Sequence, residues 1–259
     1  MVRLTITAST SNLKVFKPIQ YLYLTGHGVG YEQLSEITLR VRIVNSLTGR
    51  VDEIIPSVNL GVLSEISSMN EGFSVIPGVF NDKFKMNIML HPTSAIYLSN
   101  DKYLEVDING VEEGGLQHIH VYGIESSVVD KEFVCRYNKF YMSAGELQKT
   151  FAVGENENLI IPTDSFDEVT LQFNNGSSCT YTLDELGALM ILKNDIVSVP
   201  RDTIYYTTIH NDSNAANCCL SFGYRNLFGL DVSDVVDFTI KRSQSDSAFE
   251  VIMIDTLKD

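Results

Sequence analysis

A chain of 259 residues has room for one large domain or two of ordinary size. Hydrophobic residues make up 44% of it and charged ones 20%, which supplies a packed core and argues against intrinsic disorder. With 33 Asp and Glu against 19 Lys and Arg, the net charge of −14 argues against binding to DNA, RNA or an anionic membrane surface, which needs clustered cations.

The first residues, Val2-Arg3-Leu4-Thr5-Ile6-Thr7, alternate apolar and polar. That is a strand pattern, where a signal peptide would show a continuous apolar run. Apolar runs such as Leu186-Gly187-Ala188-Leu189-Met190-Ile191-Leu192 fall far short of the ~20 residues of a membrane-spanning helix. The expectation is a protein folded in a cytoplasm, with Cys135, Cys179, Cys218 and Cys219 as buried free thiols.

Period-two stretches rich in Val, Ile, Thr, Tyr and Phe continue along the chain, broken by Gly, Asn, Asp and Ser. They predict strands over residues 4–8, 19–25, 36–44, 73–75, 84–91, 95–98, 104–109 and 117–124. A second series covers 149–153, 159–161, 168–174, 203–210, 218–224, 237–241 and 248–255. Two helices interrupt the pattern. Ser57 is placed to cap a turn carrying Val58, Val62, Leu63 and Ile66. Thr182-Leu183-Asp184-Glu185 is a capping box opening a helix through Leu186, Leu189 and Met190.

The two series repeat each other. Ser35-Glu36-Ile37-Thr38-Leu39-Arg40-Val41 returns 132 residues later as Asp167-Glu168-Val169-Thr170-Leu171-Gln172-Phe173. Val106 and Ile108 stand 132 residues before Phe238 and Ile240, and Ile119 and Val121 the same distance before Val251 and Met253. Between these anchors the offset does not hold, so compensating insertions are required. The reading is a tandem duplication into two all-β units, residues 1–138 and 139–259, each of about eight strands with a short helix insertion. Two such units are two tandem jelly-roll barrels, a double jelly roll.

This pattern resembles the double jelly-roll major capsid proteins of icosahedral viruses with an internal membrane, in particular the small corticovirus-type members from tailless bacteriophages. The residues that carry the resemblance are Tyr21-Leu22-Tyr23-Leu24, the glycines Gly26, Gly28 and Gly30, and Ser35–Val41 in the first half. In the second half they are Asp167–Phe173, Asn174-Asn175-Gly176, Thr182–Leu189 and the ending Phe249-Glu250-Val251-Ile252-Met253-Ile254. The resemblance implies a homotrimer that forms a pseudo-hexagonal capsomer of an icosahedral shell. Its partners would be neighbouring capsomers, vertex proteins and membrane-associated virion proteins, with no direct nucleic-acid binding. The location would be the virion, after synthesis in the host cytoplasm. A minor vertex or spike protein is the variant reading within the same class. No catalytic residue carries over.

The rival signal is His118-Ile119-His120 with Glu125, since two His at i, i+2 on a jelly-roll strand can ligate iron, manganese or zinc as in cupin enzymes. The cupin pattern is incomplete. Glu112 stands where its Gly belongs, with Gly114 and Gly115 displaced, and His210 is the nearest third His. Asp107 with Glu112 and Glu113, and Asp231, Asp234 and Asp237, offer oxygens for a structural Ca²⁺ but lack the spacing of a dedicated loop. Gly26-His27-Gly28-Val29-Gly30 reads as a turned loop without the Lys-Ser/Thr of a phosphate site. No catalytic motif, cofactor or metal ligand is assigned, and the chain is not expected to be an enzyme.

Overall fold

A computed structural model of the chain describes residues 2–7, 12–27, 34–71, 83–111, 118–130, 134–156, 158–162, 166–186, 227–243 and 247–255. The described residues fall into two compact units that divide between Arg136 and Tyr137. The first contains β1 (Val2–Thr7), β2 (Asn12–Val15), β3 (Tyr21–His27), β4 (Thr38–Asn45), β5 (Val51–Asn59), α1 (Leu60–Glu71), β6 (Lys83–Met89), β7 (Ala95–Ile96), β8 (Lys102–Asn109), β9 (His118–Ile124) and β10 (Val129–Asp130). From the boundary onward come β11 (Arg136–Met142), β12 (Gln148–Ala152), β13 (Asn158–Pro162), β14 (Glu168–Phe173), β15 (Ser178–Thr182), β16 (Leu227–Asp231), β17 (Val235–Lys241) and β18 (Phe249–Asp255).

The two units share one topology. The first has sheets β1-β9-β3-β6 and β2-β8-β4-β5; the second has β11-β18-β13-β16 and β12-β17-β14-β15. Setting aside the two-residue parallel pair β7–β10, both read 1-8-3-6 and 2-7-4-5 in chain order. That is a pair of jelly rolls. The predicted strands at 73–75, 203–210 and 218–224 lie outside the described residues.

Alternation sets the inside of each unit. In β4, Leu39, Val41 and Ile43 are buried while Thr38, Arg40 and Arg42 face outward. In β14, Val169 and Leu171 take the inward positions. The repeat holds in its in–out phase but not in its register. Leu39 faces Ile108 and Val41 faces Val106, whereas Leu171 faces Phe238 and Val169 faces Ile240. The strand pairing is thus displaced by two residues between the units, an even shift that keeps every side chain on its own face. In the second core Phe238, fully buried, stacks on Phe151 with centroids 5.1 Å apart. Phe140 meets Phe151 edge-on at 6.1 Å.

The first helix starts later than the sequence predicts. Ser57 lies within β5, held extended by pairing that runs to Thr38 opposite Asn59. Asn59 is the cap, its Oδ1 accepting from the Val62 N–H at 2.7 Å. The second capping box forms as written: Thr182 N–H donates to Glu185 Oε2 at 2.8 Å and Glu185 N–H to Thr182 Oγ1 at 3.4 Å. Residues 183–186 are helical. Of the cysteines, Cys135 is buried and Cys179, expected buried, is half-buried; Cys218 and Cys219 lie outside the described residues.

Arg242 ties together the turns at one end of the second unit. Its guanidinium donates to the carbonyls of Glu146 (2.7 Å), Ser247 (2.6 Å) and Ser143 (2.6 Å), and stands 5.4 Å from the Phe249 ring centroid. A guanidinium is the side chain whose fixed donor fork can reach three carbonyls at once. Arg242→Met is expected to cost about 2–4 kcal/mol in denaturant unfolding, because it strands those carbonyls at a 7%-exposed position. A second test uses pH. The Thr182 N–H, and then its hydroxyl, hold the Glu185 carboxyl below the usual glutamate range. Its stabilisation is therefore present above that range and lost as pH falls through the folded value. Melting curves of the protein and of Glu185→Gln are expected to separate, with the variant lower, at pH values above the usual glutamate range, and to converge as pH falls through and below it.

Candidate functional site

The outward side chains of the sheet β2-β8-β4-β5 form rows across its four strands. At one end the row is apolar: Phe16, just past β2, then Tyr103, Val44 and Val51. Phe16 is 68% exposed and Val51 48%, and the Phe16 ring packs 5.5 Å from that of Tyr103. Beside this row Leu47, 81% exposed, tips the turn between β4 and β5. Asn45 holds that turn, its Oδ1 accepting from the Leu47 and Thr48 N–H groups at 2.9 Å each. Asp101 braces it from below through Asn45 Nδ2 at 2.6 Å; the Ser99 hydroxyl, more than any other group, keeps the Asp101 carboxyl below its usual range.

The next row alternates in sign: Lys14, Glu105, Arg42, Glu53. A third follows with Asn12, Asp107 and Arg40. Arg42 Nη2 lies 2.6 Å from both Glu105 and Asp107, and Asn12 Nδ2 donates to the same two carboxylates at 2.8 and 2.6 Å. Arg40 Nε reaches Glu53 at 2.6 Å, and Lys14 Nζ sits 4.8 Å over the Tyr103 ring. The face is charge-balanced within a chain of net charge −14.

The topologically equivalent face of the second unit is different. Thr150, Thr239, Thr170 and Thr180 form one row across β12, β17, β14 and β15, with hydroxyl contacts of 2.8 and 2.9 Å. Its neighbouring rows hold Gln148, Lys241, Glu168 and Thr182 on one side and Ala152, Asp237, Gln172 and Ser178 on the other. Only one ion pair joins charges there among the described residues, Lys241 with Glu168 at 3.6 Å.

Among the described residues, those singled out from sequence are not brought together into a reactive centre. His118 and His120 stand on β9 opposite Thr7 and Thr5 of β1, and the His120 ring lies 6.4 Å from that of Tyr122. Glu125 is ion-paired with Lys17 at 3.6 Å. Among the described residues no group of three His, Cys, Asp or Glu is arranged to hold a metal ion; Glu112, Glu113, Gly114, Gly115 and His210 lie outside them. Asp107 is engaged by Arg42 and Asn12, and Asp231 accepts from the Ser233 N–H and hydroxyl at 3.1 and 2.8 Å. Asp234 follows in the turn before β17 and Asp237 belongs to β17 itself. Gly26 and His27, read from sequence as part of a turned loop, belong to β3 and pair with Phe84 and Lys83 of β6; Gly28, Val29 and Gly30 lie outside the described residues. Among the described residues a Ser–His contact joins Ser94 Oγ to His91 Nδ1 at 3.0 Å. Both residues are 2% exposed, and His91 Nδ1 already accepts the Thr93 and Ser94 N–H groups. No substrate can approach that pair.

No known family model matches the sequence, and no curated protein matches it. Solved structures do. The major capsid protein P2 from Bacteriophage PM2 superposes with a TM-score of 0.54 at 10% identity, covering 99% of this chain and 98% of that one. An atomic structure of Sulfolobus Turreted Icosahedral Virus matches at 0.45 and 9% identity, over 98% and 90% of the two chains. PNGase F, a glycosylasparaginase from Flavobacterium meningosepticum, follows at 0.30 and 12%, over 99% and 96%.

The central cation of the alternating row should be structural as well as superficial. Replacing Arg42 by Met leaves Glu105 and Asp107, both about 15% exposed, without their shared counter-ion. Urea unfolding is expected to show a loss of about 1–3 kcal/mol, against less than about 1 for Asn12→Ala. Among solved proteins, then, the fold of this chain is that of the PM2 major capsid protein, a double jelly roll over nearly its whole length.

Proposed function

We propose that the chain is a structural virion protein, the major subunit of an icosahedral capsid. The observation that carries this reading is the superposition on a major capsid protein over 99% of this chain and 98% of the other. The internal repeat gives it a mechanism. Two jelly rolls of one topology, meeting near Arg136–Tyr137, let three chains present six near-equivalent sides, which is the shape a hexagonal packing of capsomers needs. The work is geometric: barrel walls supply lateral contacts, and no bond is made or broken.

In this reading the trimeric capsomers tile a shell around an internal membrane. They contact one another, vertex proteins and membrane-associated virion proteins, and do not touch nucleic acid. The acidic surface fits the last point, since it repels a polyanion. Synthesis takes place in the host cytoplasm and function in the virion.

Light scattering on the purified full chain tests the reading. The expected result is a stable species of three times the chain mass. A protein that stays monomeric at high concentration overturns it. Elemental analysis checks the cupin alternative at His118 and His120, and a stoichiometric iron, manganese or zinc content would displace the capsid reading.

A further inference from the structure

We propose that the outer face of the β2-β8-β4-β5 sheet binds the same face of a second copy of this chain across a two-fold axis that runs along the strands. The inference rests on the capsid reading and deepens it, by naming the surface through which neighbouring trimers are joined.

Charge complementarity selects the partner. A two-fold rotation about an axis along the strands exchanges β2 with β5 and β8 with β4. The alternating row then meets itself in opposite sign: Lys14 faces the other copy's Glu53, and Glu105 faces its Arg42. In the third row Asp107 meets Arg40 by the same operation. An alternating four-membered row is one of the few charge patterns that is its own complement. A contact between identical surfaces is isologous, which is what this operation requires.

The apolar row obeys the same exchange, with Phe16 against Val51 and Tyr103 against Val44. Phe16, at 68% exposure, is a large aromatic that nothing in its own unit buries. Aromatic anchors beside charge pairs are the usual centre of a protein–protein contact. Such a surface also suits a chain of net charge −14, whose copies repel wherever they meet acid to acid. The equivalent threonine face of the second unit has the same backbone and neither feature, so the fold did not impose them.

Four strands about 4.8 Å apart and three rows deep give a patch roughly 20 Å on a side, near 400 Å² per partner. That is about half of what a stable two-protein interface buries. The contact is therefore weak alone and becomes stable only when several act together, as between trimers in a lattice.

Sedimentation velocity on the full-length protein, over a concentration series, reads the association of trimers. Lys14→Glu and Glu53→Lys each place like charges together between copies, and each is expected to weaken association by about tenfold or more. Phe16→Ser should do the same by removing the anchor. The double variant Lys14→Glu/Glu53→Lys restores the match between copies, and association should return to within about threefold of the parent. Lys14 and Glu53 sit on opposite edges of the sheet, roughly 14 Å apart, so an effect confined to one chain gives no such rescue. A double variant no better than either single overturns the inference. So does association that is indifferent to Phe16→Ser, or that requires a second kind of protein. If copies pair through this face without ever forming a trimer, the inference stands and the capsid reading falls.

Discussion

β9 lies between β1 and β3, and β18 between β11 and β13. Each barrel is thus closed by pairing its last strand with its first, across on the order of a hundred residues of chain. The entropic cost of that closure grows only with the logarithm of the loop, but it must be met before any of the other long-range pairs are secure. Apolar burial meets it. Ile119 and Val121 of β9 are fully buried. β18 is buried along both faces from Val251 to Ile254, with none of the four more than 3% exposed. Gly110, at φ +83°, makes the turn after β8, where a Cβ would collide with the carbonyl oxygen of Glu36.

That constraint explains what could be read from the sequence. Strands buried on one face announce themselves by alternation, as β4, β8, β14 and β17 do. The ones missed carry a weaker stripe. β15 alternates only between half-buried and exposed positions, β5 contains Pro56 and irregular pairing, and β11 reads as Arg-Tyr-Asn-Lys-Phe-Tyr-Met with polar residues at its centre. β2 is four residues long. The 132-residue repeat located the right strands, yet it could not give their register. Registers come from turns and packing partners, and a shift of two leaves the alternation untouched. Ser57 was an acceptable cap by composition, but β4 kept pairing with that segment and moved the cap to Asn59.

The candidate surface was harder to see for a different reason. Arg40 and Arg42, or Glu105 and Asp107, are visible as i, i+2 pairs in the sequence. Only the order β2-β8-β4-β5 interleaves them into a row of alternating sign. The histidine pair on β9 had the opposite fate. It was conspicuous along the chain, but a metal site needs ligands from several strands, and among the described residues no third donor converges on it. Chemistry written along one strand is easily overread, while complementarity written across four strands is invisible until they are ordered.

The two barrels also show how far a fold determines a surface. Their interiors obey the same in–out pattern because both must exclude water. Their equivalent outer faces hold a charged and aromatic ladder in one case and a threonine row in the other. At physiological ionic strength charges are screened beyond about 8 Å, so a net charge of −14 keeps distant copies apart only weakly and governs contact mainly at the surface that touches. A locally neutral, self-complementary ladder and a nearly uncharged hydroxyl face then differ in kind. The ladder disfavours a slip by one strand, which brings like charges opposite each other. The threonine row tolerates slippage, since each hydroxyl both donates and accepts. The first face is thus suited to directional contact and the second to contact that tolerates slippage.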